Sequence, residues 1–545
     1  MARLHTQFLK SSKPVALIEQ DIDHYITTHA DGVYDEVLAS DDRWEVFFHL
    51  SDMRAGLFGW YDMPKDAEVL EIGCGFGALT GVLADRSGHV TALADSLFAA
   101  RSCAKRWNAA DNLDVYAGRL RDMPFRRQFD VITLIDVLPI VANGEISLAP
   151  YAASLRSLLD YLKPHGRLLL AMDNRLGLKY ACGACDPYSA EPFGELSGIV
   201  SKGRLFTKPE VIEILSAAGF THWKFYYPLP DWRLPQFIFT DAVPPDALIG
   251  ERLIPYDPTP EIRVLPEAPL YADIVRNGLF PAMANSFLVE CAMQEDFCPT
   301  ESVSLSFDRA AAYSIATCRE GESYVKKPIV TAAMKGIREI ADNLETLRER
   351  GLEVIPYELR DDGRLVMPRM ETPTMAAWLS TATPKDRDEV LAATERLWAA
   401  ILQSSPPVAD SENCMKRLHS QADWGVILRH AYLNMTPDDV FYRDGKLLFF
   451  NQGLSRENCP AKYQMFLAIY DNMDALQRVG VLDEIKARYG LSRLWNTLEA
   501  IQTENTAHVC RYETYRHFYD WAEMSPIRML KNRQILKIIG NEEDE

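Results

Sequence analysis

The 545-residue sequence predicts an α/β protein whose first half is a doubly wound, mostly parallel sheet. Three observations predict it. Short apolar runs alternate with helical segments between residues 68 and 174. A glycine-rich loop follows the first of those runs directly. After residue 300 the alternation gives way to short strands, a long helix and a strand pair, so the second half reads as a separate α+β unit with a helical C-terminus. A chain of this length exceeds what one hydrophobic core usually organises.

In order along the chain, residues 1–50 read as a helical segment, with Trp44, Val46, Phe47, Phe48 and Leu50 forming an apolar stripe before Arg54. Val69-Leu-Glu-Ile72 is a short apolar run ending in glycine, the signature of a buried parallel strand. His89-Val-Thr-Ala-Leu-Ala94, Leu113-Asp-Val-Tyr116 and Phe129-Asp-Val-Ile-Thr-Leu-Ile135 repeat it. Arg167-Leu-Leu-Leu-Ala-Met172 is the fifth, after Lys163-Pro-His-Gly166 ends the preceding helix. Such a rhythm indicates a doubly wound fold. Trp223-Lys-Phe-Tyr-Tyr227 and Ser286-Phe-Leu-Val-Glu-Cys291 read as two later strands closing a domain over 51–295. A Pro-punctuated insertion at about 241–284 lies between them and is long for a structureless loop. Residues 300–545 form the second unit: strands near Phe307 and over Ser323-Tyr-Val-Lys326, a helix over about 332–350, a strand pair over 355–359 and 364–367, then helices from about 460 and an acidic tail.

Composition narrows the partners. Fifty-eight Lys and Arg stand against 77 Asp and Glu, a net charge of −19. Such a surface repels phosphate backbones and anionic membrane faces, so nucleic acid is not an expected partner. No run reaches the roughly 18 apolar residues of a membrane span. Met1-Ala-Arg-Leu-His-Thr-Gln7 has no apolar signal region, and the ten cysteines form no dense framework, so a cytoplasmic protein with reduced thiols is expected. Cys182-Gly-Ala-Cys185 lacks a second ligand pair for zinc and reads as a loop.

Glu71-Ile-Gly73-Cys74-Gly75-Phe-Gly77 ends the first strand and opens a helix, letting backbone approach a ligand closely. Asp95, ending the second strand, is placed to accept both hydroxyls of a ribose. These features alone also fit a dinucleotide fingerprint, which leaves an NAD-dependent oxidoreductase open. Four motifs in order carry more: the glycine loop, Asp95 with Ser96, Phe129 to Asp136, and Leu162-Lys-Pro-His-Gly-Arg-Leu168. Together they resemble class I S-adenosylmethionine (SAM)-dependent methyltransferases with a Rossmann-like fold. The resemblance implies that the loop of Gly73, Cys74, Gly75 and Gly77 passes the methionine part of SAM. It places Glu71 at the methionine ammonium, Asp95 at the ribose, Arg119 and Leu120 beside the adenine, and Asp136 at the cofactor's border.

Further on, Asp173-Asn-Arg-Leu-Gly-Leu-Lys-Tyr180, Gly203-Arg-Leu-Phe-Thr-Lys208 and Tyr226-Tyr-Pro-Leu-Pro-Asp-Trp-Arg-Leu-Pro235 look like bacterial methyltransferases associated with cell-surface polysaccharide synthesis. That resemblance implies a saccharide acceptor, or its lipid- or nucleotide-linked precursor, and glycan-assembly enzymes as partners. Methyl transfer to oxygen needs a positioned acceptor and a proton acceptor. Asp173 and Asn174 at the fifth strand's end are the expected catalytic pair, Asp173 as the base or the acceptor-orienting group. Arg175, Lys179, Tyr180, Trp232 and Arg233 are the expected substrate contacts, aromatic faces suiting sugar rings and cations suiting anionic groups. Asp136 with Asp173-Asn174 also resembles the magnesium triad of catechol-type O-methyltransferases, although no metal is assigned here.

In the second half, Tyr324-Val-Lys-Lys327, Asn434-Met-Thr-Pro-Asp-Asp439 and Phe449-Phe-Asn-Gln-Gly453 resemble a kinase-like domain. Lys326 or Lys327 would serve phosphates, with Glu339 or Glu345 as ion-pair partner. Asn434 stands where the catalytic Asp belongs and Asn451 where the metal-binding Asp belongs; neutral Asn takes no proton and holds hard cations weakly. The expectation is a SAM-dependent methyltransferase with a pseudokinase binding module. A bifunctional methyltransferase and sugar kinase, or a non-catalytic SAM-binding scaffold, are the alternatives.

Overall fold

The structure is a computed structural model that describes residues 1–8, 14–30, 32–123, 128–194, 202–254, 256, 264–416 and 422–522. The acidic tail, and residues 255 and 257–263 of the insertion, lie outside the described residues.

The first half contributes strands β1 (Arg3–His5), β2 (Glu68–Ile72), β3 (His89–Ala94), β4 (Leu113–Ala117), β5 (Phe129–Ile135), β6 (Leu162–Asp173), β7 (His222–Leu229), β8 (Phe237–Thr240) and β9 (Ser286–Ala292). The second half adds β10 (Ser302–Leu305), β11 (Ile315–Glu320), β12 (Ser323–Pro328), β13 (Glu358–Leu359) and β14 (Leu365–Pro368). All fourteen join one sheet in the order β1-β4-β3-β2-β5-β6-β9-β7-β8-β10-β11-β12-β14-β13. From β1 to β6 every pairing is parallel. β9 runs antiparallel to both neighbours, Val289 sitting opposite Leu170 of β6 and Phe225 of β7.

The central strands read as near-continuous apolar runs because both faces are covered. Alternation along each strand divides the cover. Leu70, Ile132 and Leu168 pack on one side with Val211, Ile214 and Leu215 of the helix Lys208–Ala218. Val69, Val131 and Leu169 pack on the other with Leu57 and Trp60, and this second core continues into Val303, Ala316 and Cys318 of the later strands. The two halves therefore share apolar packing as well as backbone pairing.

Three sequence expectations are corrected. Lys163-Pro-His-Gly166 does not end a helix but lies inside β6, where a register shift between Phe129 and Val131 absorbs the extra residues. The N-terminal segment is not helical throughout: Arg3–His5 adds an edge strand beside β4. β8 and β11 were not anticipated. The insertion over 241–284 holds short helices at Ile249–Arg252, Tyr271–Arg276 and Phe280–Met283. Beyond it, the helix Met334–Glu349 packs Ile337, Ile340 and Leu344 onto Leu365 and Met367 of β14. The chain then closes on itself, since Phe518 stacks on Phe47 at 5.9 Å and Arg511 pairs with Asp35 at 2.5 Å and Asp52 at 2.8 Å.

Candidate active site

The glycine loop leaves β2 with three left-handed residues, Gly73, Gly75 and Gly77 at φ +84°, +52° and +77°. Two have no room for a side chain. A Cβ on Gly73 would lie 2.6 Å from Val137 Cγ2, and one on Gly77 would lie 2.8 Å from Trp107 Nε1. Trp107 Nε1 donates to the Gly77 carbonyl at 2.7 Å, and the Gly73 and Cys74 amides donate to the Leu93 carbonyl, fixing the loop to β3. Cys74 is buried, its thiol lying against Cys103 and the Gly75 carbonyl, and it does not line the cleft below. Glu71 is buried and accepts from Thr80 Oγ1 at 2.6 Å. Burial pushes its carboxyl up to about 7, against the Thr80 hydrogen bond and the Arg54 charge.

A cleft of about 440 Å³ opens beside this loop, lined by Gly75, Phe76, Asp95, Ser96 and Arg101 and covered by His49, Val15 and Glu19. Asp95 is exposed at the mouth, and Ser96 Oγ caps the helix Leu97–Arg106 by accepting from Ala99 N at 3.1 Å. His49 stands edge-on to Phe76 at 5.0 Å. Burial, with the charges of Arg54 and Arg106, lowers its imidazole to about 3, so it is neutral at pH 7. Arg119 is exposed and Leu120 half-buried, and neither lines this cleft. The glycine turns, the Glu71 and Asp95 carboxyls and the space fit the amino-acid and adenosine ends of SAM.

Because the sheet runs β3-β2-β5-β6, the ends of these strands present Asp95, Gly73, Asp136 and Asp173 in a row. Neighbouring strands are about 4.8 Å apart, so the row spans roughly 14 Å. The strand order reverses between β2 and β5, where open α/β sheets bind their ligands.

Asp173 is 1% exposed and fully engaged. Its Oδ1 accepts from Arg233 Nη1 at 2.9 Å, Trp232 Nε1 at 3.0 Å and Lys179 Nζ at 3.1 Å; its Oδ2 accepts from Tyr180 Oη at 2.8 Å and Arg233 Nη2 at 2.9 Å. Burial alone would raise this carboxyl, but Arg233 and Lys179 outweigh it and hold it below the usual range. A carboxylate so held makes a poor proton acceptor, so of the two roles expected of Asp173, base or acceptor-orienting group, its surroundings disfavour the first. Asn174 is likewise spent: Nδ2 donates to the Ala282 and Ala284 carbonyls at 2.8 Å each, and Oδ1 accepts from Leu176 N. With those oxygens and cations in place, the triad does not fit a magnesium ion.

The expected substrate contacts prove mostly to be supports. Tyr180 and Trp232 are buried, so Trp232 is not an open platform. Lys179 and Arg233 each bridge Asp173 to Asp231, whose Oδ1 also accepts from Tyr256 of the insertion at 2.6 Å. Arg175 reaches Glu210 at 3.1 Å.

Sequence reasoning passed over His49, Arg54, Tyr188 and Asp231. Arg54 is 3% exposed, lies 4.2 Å from the Phe48 ring and 5.1 Å from the Trp232 ring, and donates to the Arg233 carbonyl at 2.7 Å. Tyr188 Oη donates to Asp136 Oδ1 at 3.0 Å. The only sequence signal for Arg54 was its place after the apolar stripe at 44–50.

Residues 49–224 match a family model described as a methyltransferase domain. This segment is similar to methyltransferase domains. Its mixed sheet has a Rossmann-like strand order, β4-β3-β2-β5-β6. Similar solved structures include SAM-dependent methyltransferases of Thermotoga maritima (14% identity, 49% of this chain and 100% of that one, TM-score 0.27) and Methanosarcina mazei (14%, 43% and 95%, 0.25). Another is phosphoethanolamine N-methyltransferase 1 of Haemonchus contortus, solved with phosphoethanolamine and S-adenosylhomocysteine (12%, 51% and 50%, 0.28). No curated protein matches the chain. No helix among the described residues is long and apolar enough to cross a membrane.

In the second half, Asn434 Nδ2 and Asn451 Nδ2 donate to the two oxygens of Asp439 at 2.8 and 2.7 Å. Burial pushes that carboxyl up to about 7 despite the two amides. Lys326 donates to Thr317 Oγ1 at 3.2 Å, and burial lowers its amine to about 8. Lys327 points the other way, pairing with Glu320 at 2.6 Å and Asp62 at 2.9 Å. Neither lysine meets the expected partners: Glu345 is bonded to Arg348 and Tyr357, and Glu339 lies 3.9 Å from Lys335.

Proposed function

We propose that the protein transfers a methyl group from SAM to a hydroxyl oxygen of a saccharide, or of its lipid- or nucleotide-linked precursor, in the cytoplasm. The row Asp95, Gly73, Asp136 and Asp173 carries this reading. The cleft beside Asp95 suits the nucleoside, the glycine loop suits the amino-acid end, and the next two strand ends remain for the acceptor. When bound, SAM supplies an electrophilic methyl on a sulfonium sulfur.

The chain's own contribution is placement and charge. Gly73 and Gly77 keep the backbone close, Glu71 offers a carboxyl to an ammonium, and neutral His49 closes the cleft without adding a cation beside a sulfonium. The Asp173, Arg233, Lys179 and Asp231 network balances two charges of each sign and locks the loops that face the acceptor. The saccharide class is supported by the likeness of 173–180 and 226–235 to polysaccharide-associated methyltransferases. The second half fits a pseudokinase-like binding module for the acceptor or for glycan-assembly partners, because Asp439 is bridged by amides where a phosphoryl-transfer site needs free acids.

The test is calorimetric titration with S-adenosylhomocysteine on the wild type and Asp95→Ala, beside NAD and ATP, followed by a panel of saccharide acceptors. Micromolar binding lost in the variant, then transfer to a glycan, is expected. Binding of NAD instead, or transfer confined to non-saccharide acceptors, would overturn the reading.

A further inference from the structure

We propose that Asp136, rather than Asp173, is the catalytic proton acceptor, its carboxylate facing the transferring methyl; the inference rests on the cofactor reading above. Four observations lead there. Asp136 follows β5, between the glycine loop on β2 and the acceptor-side end of β6, at the reversal of strand order. It is held at φ +55°, a left-handed conformation costly for a residue with a Cβ, and its amide is pinned to the Ala171 carbonyl at 2.8 Å. Its neighbour Val137 packs over the loop, Cγ2 lying 2.6 Å from where a Cβ on Gly73 would stand, so residue 136 leaves β5 directly next to the loop. Only one of its oxygens is used: Oδ1 accepts from Tyr188, and Oδ2 makes no hydrogen bond among the described residues, in contrast with the five bonds on Asp173.

In the step, an acceptor oxygen lone pair forms the new O–C bond and the S–C bonding pair returns to sulfur, leaving a neutral thioether. The acceptor's O–H bond breaks and its proton passes to Asp136 Oδ2. Burial raises the Asp136 carboxyl to about 6, with Asp173 adding to the rise and Arg233, Tyr188 and Lys179 opposing it. Arg54 faces it from the helical turn Asp52–Leu57. Those groups leave it ionised but basic near pH 7.

The test needs no acceptor. SAM carries a sulfonium charge and S-adenosylhomocysteine does not, while both share the adenosine and amino-acid groups that Glu71 and Asp95 would meet. Calorimetric affinities of the 545-residue chain for both ligands are compared from pH 5 to pH 8. The preference for SAM should rise about tenfold with a midpoint near 6, because an ionised carboxylate attracts the nearby cation. Asp136→Asn should abolish the rise while keeping S-adenosylhomocysteine affinity. Tyr188→Phe, which removes a hydrogen bond favouring the carboxylate, should move the midpoint upward. A preference independent of pH in the wild type, an undiminished rise in Asp136→Asn, or an unmoved midpoint in Tyr188→Phe would overturn the assignment. Failure of the wild type to bind either ligand would overturn the cofactor reading together with it.

Discussion

Arg233 grips Asp173 with two parallel hydrogen bonds of 2.9 Å each, joining residues 60 positions apart in the sequence. Planar guanidinium against planar carboxylate gives two charge-assisted hydrogen bonds, each about twice as strong as a neutral one. It is also costly to break from one side, because the survivor is left charged and buried. Arg233→Gln should destabilise the chain by about 3 kcal/mol in urea denaturation. Asp173→Asn should cost a similar amount, and the double variant less than the sum of the two.

Glu71 gives a pH-dependent prediction. With its carboxyl near 7, the group is largely protonated at pH 6 and ionised at pH 8. If it meets the ligand's ammonium, ionisation strengthens binding. S-adenosylhomocysteine affinity should therefore rise about tenfold over that interval, and Glu71→Gln should flatten the rise. Calorimetry at both pH values reads it directly.

Lys326 and Lys327 are neighbours with opposite expectations. Lys327 is fully buried between Glu320 and Asp62, and Lys327→Met should cost about 3 kcal/mol by stranding those acids. Lys326 has no carboxylate within ion-pair distance among the described residues. Lys326→Met should stay within about 1 kcal/mol of the wild type, since it removes a buried charge along with its hydrogen bond. Thermal melts of the two variants, side by side, check this.

Asp439 makes the second half sensitive to pH. Its folded-state carboxyl lies near 7 against an ordinary 3.8, so the folded chain binds more protons between those values. The stability it contributes is full below 3.8 and declines as pH rises toward 7. Comparing wild type with Asp439→Asn at pH 5 and pH 7, the wild type should lose about 2 kcal/mol relative to the variant.

The strands were legible where apolar runs were long enough to be covered on both faces, as in 89–94 and 129–135. Arg3–His5 was not, because an edge strand of three residues has no periodicity to read. Lys163 to Gly166 misled because Pro and Gly commonly mark breaks, whereas here the register shift in β6 tolerates them. The tight turn at Gly73, Gly75 and Gly77 was readable because its spacing is local. The fate of Asp173 was not, since Trp232, Arg233 and Asp231 reach it from a loop after β7. Tyr188 meets Asp136 from 52 residues away, a closure that no local pattern encodes.

The shared sheet also constrains how the molecule can be taken apart. Val303 and Ser304 of β10 pair with Ile238 and Phe237 of β8, so a cut near residue 300 would bare the ladder of β8. It would also uncover the apolar side chains that Leu57 and Trp60 share with Ala316 and Cys318. Exposed strand edges beside apolar surface recruit other chains. A segment ending near residue 300 should therefore self-associate, whereas in the whole chain the later strands cover that edge and its apolar flank.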